Sequence, residues 1–180
     1  MLKLKALNLL VLPSTYREMP EEELAAIGAL RAHPTLRNIE ESRWEGNRMV
    51  RSAQSKDAFW KIWDRELSFL SMVRRSGYRF SLSRLSNGSY SLSIENQPLS
   101  DITFLKGAPI SELWLNNCKI ADLSPIRDLP LRVLGLHANP VADVSPLRKM
   151  PLEELSIEET KVSDVSPLIG ALREVEWVKK

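Results

Sequence analysis

The chain has 180 residues, of which 43% are hydrophobic and 27% charged, with a formal net charge of +2. That is the composition of an ordinary globular protein of one domain or a short array, and the charge is too small to imply nucleic acid by itself. A single cysteine excludes an internal disulfide framework or a multi-cysteine metal site and fits a reducing, cytoplasmic setting, and no apolar run reaches the ~18 residues that a membrane span needs.

The opening MLKLKALNLLVLP carries Lys3 and Lys5 ahead of a short apolar run, the outline of a signal peptide. Asn8 interrupts that run, however, and no A-x-A site follows it. Leu4, Leu7 and Leu9 instead show the L-x-x-L-x-L spacing of a repeat strand, so the chain is predicted to open inside a repeat and to be cut from a longer protein. Pro20 followed by Glu21, Glu22 and Glu23 opens a helix, because proline suits the first position and acids favour the positive end of the dipole. Leu24, Ile27 and Leu30 form its expected buried stripe, and Pro34 stops it. Leu36 and Ile39 then repeat the strand opening. Residues 1–42 are expected to be the last strand and helix of an earlier array.

Residues 43–54 hold no clear pattern and are expected to be a loop. Ser55 can cap a second helix, with Phe59, Trp63, Leu67, Leu70 and Val73 along one side and Gly77 at its end. Tyr78, Phe80 and Leu82 alternate, Asn87-Gly88 marks a tight hairpin turn, and Tyr90, Leu92 and Ile94 alternate again. Residues 43–88 therefore read as a loop, a helical insert and a hairpin that caps the exposed end of the array beyond.

From residue 89 to residue 180 one phrase recurs. Leu113, Leu134 and Leu155 are spaced 21 residues apart, as are Leu115, Leu136 and Ile157, Asp122, Asp143 and Asp164, and the three Ser-Pro pairs at 124, 145 and 166. A weaker copy lies upstream in Leu92, Ile94, Leu99 and Asp101, with Thr103-Phe104 in place of Ser-Pro. Leu172, Val175 and Trp177 promise a final strand. L-x-L has period two, so its leucines share one side of a strand. Gln97, Cys118, Asn139 and Thr160 fall in one column, where a side chain can hydrogen-bond a turning backbone. Serine as N-cap and proline at the first position then start a short helical segment. A single copy cannot bury its apolar side, so copies must stack.

Residues 89–178, with ISELWLNNCKIADLSPI from Ile110 as the best copy, resemble a leucine-rich-repeat array of the short-repeat kind. The D-[LV]-S-P-L repeats and the Phe59-Trp60-Lys61 element further resemble repeat regions appended to bacterial serine/threonine protein kinases. The resemblance implies an α/β fold, a leucine-rich-repeat solenoid with a parallel sheet on the concave side, plus the helical insert and β-hairpin cap. It implies a non-catalytic protein-binding or scaffolding module of a larger signalling protein, possessing no cofactor. No HRD or DFG motif is present, and the glycines are too scattered for a phosphate loop, so no kinase residue carries over.

On that fold the outward row holds Ser93, Trp114, Gly135, Ser156 and Glu176. Glu95, Asn116, His137 and Glu158 flank it on one side, and Glu112, Val133, Glu154 and Glu174 on the other. A tryptophan beside Asn116 and His137, ringed by carboxylates, is the makings of a protein-binding hot spot. The contrary expectation is that Trp114 packs on its own array. Glu112, Trp114, Asn116, Gly135, His137, Glu154, Ser156 and Glu158 are the predicted binding residues, for an unidentified protein partner.

Three further readings compete. The aspartate column could suggest calcium, but its members sit in separate repeats and lack dense oxygen ligands, so each is expected to cap a turn. Cys118 and His137 could suggest a nucleophile and base, but the register buries the first and turns the second outward. Residues 43–84 hold ten basic and four acidic groups, which makes a nucleic-acid contact the alternative function. The final strand leaves an uncovered edge on which the chain could self-associate.

Overall fold

The computed structural model describes residues 7–12, 19–45 and 48–169, the side chains of 43–45 and 48 excepted. The chain divides into two compact units, residues 1–70 and 71–180. Among the described residues no helix is long and apolar enough to cross a membrane.

In the first unit, strand β1 (Leu9–Leu12) pairs in parallel with β2 (Asn38–Glu45), which pairs antiparallel with β3 (Arg48–Ser55). Leu4 lies outside the described residues, and the expected inward Leu9 is instead exposed. Pairing sets Leu10 opposite Ile39, so Leu10 and Leu12 share the inward side while Leu9 and Val11 are 42% and 44% exposed. The helix α1 (Glu21–Ala29) links β1 to β2, with Pro20 as its N-cap rather than its first residue. Of its expected stripe only Leu24 is buried.

The loop expected over 43–54 is a hairpin. Its register runs from Asn38↔Ser55 to Glu45↔Arg48 and leaves only Gly46-Asn47 between the strands. Ile39, Trp44, Met49, Val50 and Ala53 are the only apolar residues of the two strands, and they do not alternate. A polar sheet edge has no period-two signature, so apolar periodicity could not find it.

Helix α2 (Lys56–Arg75) follows directly and spans the boundary between the units. Ser55 caps it as expected, its Oγ accepting the Ala58 N–H at 3.3 Å, and Gly77 beyond its end takes φ +77°. Phe59, Trp63, Leu70 and Val73 are buried, as are Trp60 and Phe69, while Leu67 is half-buried. Phe59, Trp60 and Trp63 form one cluster with ring centroids 4.9–5.7 Å apart. Phe59 and Trp60 of the Phe-Trp-Lys element are thus core packing while Lys61 is exposed, and Arg31 lies 5.0 Å over the Trp60 ring.

The second unit carries a five-stranded sheet of β4 (Ser81–Arg84), β5 (Tyr90–Ser93), β6 (Ile110–Trp114), β7 (Val133–Gly135) and β8 (Glu154–Ser156), in that order. β4 and β5 form the expected hairpin, and every other pair is parallel. Leu92, Leu113 and Leu134 stand in register and are fully buried, each contributing about 2 kcal/mol of burial. Beyond the strands the ladder continues, with Ile94 N–H to Trp114 O, Leu115 N–H to Gly135 O and Leu136 N–H to Ser156 O at 2.8–2.9 Å. This is a leucine-rich-repeat-like fold, in which one 21-residue unit stacks on the next.

The chain leaves the sheet through a left-handed residue in each unit, Asn96, Asn117, Ala138 and Glu159, with φ between 51° and 57°. The following column then ties the turn down. Asn139 is buried, its Nδ2 donating to the Leu115, Leu136 and His137 carbonyls at 2.7–3.2 Å while its Oδ1 accepts the Ile120 N–H at 3.0 Å. Cys118 makes weak S–H contacts to the Ile94 and Asn116 carbonyls at 3.3 and 3.6 Å.

Each unit closes with a 3₁₀ turn at Thr103–Leu105, Ser124–Ile126, Ser145–Leu147 or Ser166–Leu168. Here the serine expected as N-cap is not one, whereas the aspartates cap the turns as expected. Asp122, Asp143 and Asp164 accept the backbone N–H of the serine two residues on, at 2.8 Å, and Asp101 does the same for Thr103. The Ser124 and Ser145 hydroxyls donate to the same aspartates at 2.8 and 2.9 Å. The aspartate is the cap, and the serine is its ligand. Leu172, Val175 and Trp177 lie outside the described residues.

Candidate functional site

Because Leu82, Leu92, Leu113 and Leu134 point inward, the alternate residues of each strand form the opposite face of the sheet. The register aligns them in rows across the strands. One row runs Ser83, Ser91, Glu112, Val133, Glu154, and the next runs Ser81, Ser93, Trp114, Gly135, Ser156. Glu95, Asn116, His137 and Glu158 continue the same alternation just past the strand ends. None of these positions holds lysine or arginine. Glu174 and Glu176 lie outside the described residues.

Trp114 is half-buried, and Gly135 is buried beside it on β7. A β-carbon at Gly135 would stand 2.6 Å from Cε3 and 3.2 Å from Cζ3 of the indole, and 3.0 Å from Asn116 Oδ1. The indole therefore lies across the neighbouring strand, in space that only glycine leaves open. This joins the two readings of Trp114, which packs on its own array and still presents part of its ring.

A polar chain runs beside it. Glu95 accepts the Ser93 hydroxyl at 2.9 Å and Asn116 Nδ2 at 2.5 Å, and Asn116 Oδ1 accepts the His137 N–H at 2.9 Å. Glu95 and Asn116 are thereby held in place by hydrogen bonds within the array. The His137 ring stands 3.8 Å from Glu158 and 3.9 Å from Glu159. Glu159 was not among the predicted residues. It occupies the left-handed column, whose 21-residue step could have marked it.

Glu112 and Glu154 flank Val133 on adjacent strands. The neighbouring base, Arg132, is engaged by Glu153 in a bidentate pair at 2.8 and 2.6 Å, which raises the guanidinium pKa. Cys118 is buried, and desolvation pushes its thiol up from its ordinary value, the opposite of what a nucleophile needs. The four capping aspartates are held below the usual carboxylate range, first by the backbone N–H each accepts and then by the hydroxyl beside it. Among the described residues no group of three His, Cys, Asp or Glu side chains is arranged to hold a metal ion.

No protein-family model matches the chain, and no curated protein matches it. Among solved structures it is similar to internalin C2 from Listeria monocytogenes, at 33% identity and a TM-score of 0.39, over 41% of this chain and 34% of that one. The matched part thus spans about a third of the internalin's length, 34%.

Proposed function

We propose that this chain is a non-catalytic protein-binding module that acts through the outward face of the β4–β8 sheet, the concave side of a repeat solenoid. The observation that carries the reading is Trp114 laid across Gly135, a large aromatic surface held by its own array and still partly exposed. A side chain already fixed in the free protein loses little rotamer freedom on binding, which is how an anchor residue gains affinity. Asn116, His137, Ser156 and the surrounding carboxylates supply a polar rim. The order of repeats and helical insert supports placing the module in a larger signalling protein, as a scaffolding or recognition segment linked to a kinase.

The basic insert supports its rival less. Trp60 is buried in an aromatic cluster, and Lys56 Nζ donates to the His33 carbonyl at 3.0 Å. Neither is free to stack on bases or contact phosphate in the way that single-strand binding requires.

A photo-crosslinking amino acid placed at Ser93 or Ser156 tests the reading, with Asp128, exposed just after a 3₁₀ turn, as the comparison site. In source-cell lysate the sheet positions should trap a protein that Asp128 does not, and the Trp114→Ala, His137→Ala double variant should lose it. Adducts confined to Asp128 would remove the sheet face as the binding surface.

A further inference from the structure

The outward face carries carboxylates that make no ion pair with a described residue of the face. Glu112 and Glu154 stand in one row with only Val133 between them, so their Cα atoms are about 10 Å apart, two strand spacings. Neither makes a hydrogen bond or ion pair with a described residue; Arg132, the cation that acts on Glu112 through its charge, is held by Glu153, and Glu95 is satisfied within the array. Trp114 lies two residues along the strand from Glu112, about 7 Å, and its indole lies against Gly135 on β7, the strand between β6 and β8. Glu158 and Glu159 add two exposed acids beside His137. A π-face bordered by carboxylates, on outward strand positions that hold no lysine or arginine, is complementary to one kind of side chain. Cations stack on indole, and arginine adds a planar fork that matches a carboxylate.

We propose that this face takes a cationic segment of a partner protein, with an arginine or lysine side chain laid on Trp114 between Glu112 and Glu154. The proposal rests on the reading of the sheet face as the binding surface and gives its partner a chemistry. Charge complementarity selects this occupant over the same face of a second copy, which would bring like charges together. It also selects against an acidic or wholly apolar segment, which would leave the carboxylates desolvated and unpaired.

Fluorescein-labelled peptides alternating glycine with arginine, glutamate or serine test it by anisotropy. The arginine peptide should bind, weaken about tenfold with Glu112→Gln, Glu154→Gln, weaken comparably with Trp114→Ala, and fall away as ionic strength rises. The control pair Glu21→Gln, Glu22→Gln, exposed on α1, should leave it unchanged. Absent binding, equal binding of the serine peptide, or equal weakening by the control pair would each overturn the proposal. A crosslinker at Ser156 separates this failure from that of the underlying reading. A lysate protein trapped there as well by the Glu112→Gln, Glu154→Gln variant sinks the cationic partner and leaves the face as a binding surface. The absence of any adduct from the face sinks both.

Discussion

Trp114 and Gly135 occupy neighbouring places on β6 and β7, and the indole fills the volume that a side chain at 135 would need. Gly135→Ala should force the ring or Asn116 to move and destabilise the protein by about 1–3 kcal/mol. Trp114→Ala should relieve most of that cost, so urea unfolding of the two single variants and the double should show clear coupling. Additive losses would mean that the two sites do not compete for this space.

Ala138 sits at φ 55°, in a column where Asn96 and Asn117 occupy the same left-handed conformation. Alanine bears a steric cost there that asparagine bears less. Ala138→Asn should therefore raise unfolding free energy by about 0.5–1 kcal/mol, and Asn117→Ala should lower it by a similar amount. Thermal denaturation of the two variants checks the opposed signs.

Asn139 satisfies buried backbone groups of two adjacent repeats. Asn139→Ala strands the Ile120 N–H and at least one carbonyl, at a cost of about 2–4 kcal/mol. Cys118→Ala removes only weak sulfur contacts and should cost about 1 kcal/mol, beyond which the two turns would be energetically alike. Chemical denaturation curves of both variants make the comparison.

Asp101, Asp122, Asp143 and Asp164 all have folded-state pKa values below their ordinary range. A depressed carboxylate contributes stability that is fully present above its unfolded pKa, about 4, and is lost as pH falls through the lower folded value. Unfolding monitored across acid pH should thus show stability declining below pH about 4. Asp122→Asn combined with Asp143→Asn should flatten that decline, since an amide still accepts the serine N–H but does not titrate. An unchanged slope would assign the acid sensitivity to other groups.

By itself the sequence determined the repeat columns of the described residues 90–168. Parity along a strand and a constant 21-residue step are local, translational properties, so Leu113, Leu134, Asn139 and the aspartates carry their roles in their spacing. The turn chemistry was nearly as open: the aspartates cap the turns as their column implied, and only the serine's expected role as N-cap fails. Tertiary structure decided what depends on a neighbour. The β2–β3 hairpin exists through pairing of polar strands that have no apolar rhythm, and Leu9 faces out because Ile39 sets the register of β1. Above all, that Trp114 lies over Gly135 is a relation between two strands, and linear order records which residues are 21 apart but not which ring leans into whose empty space.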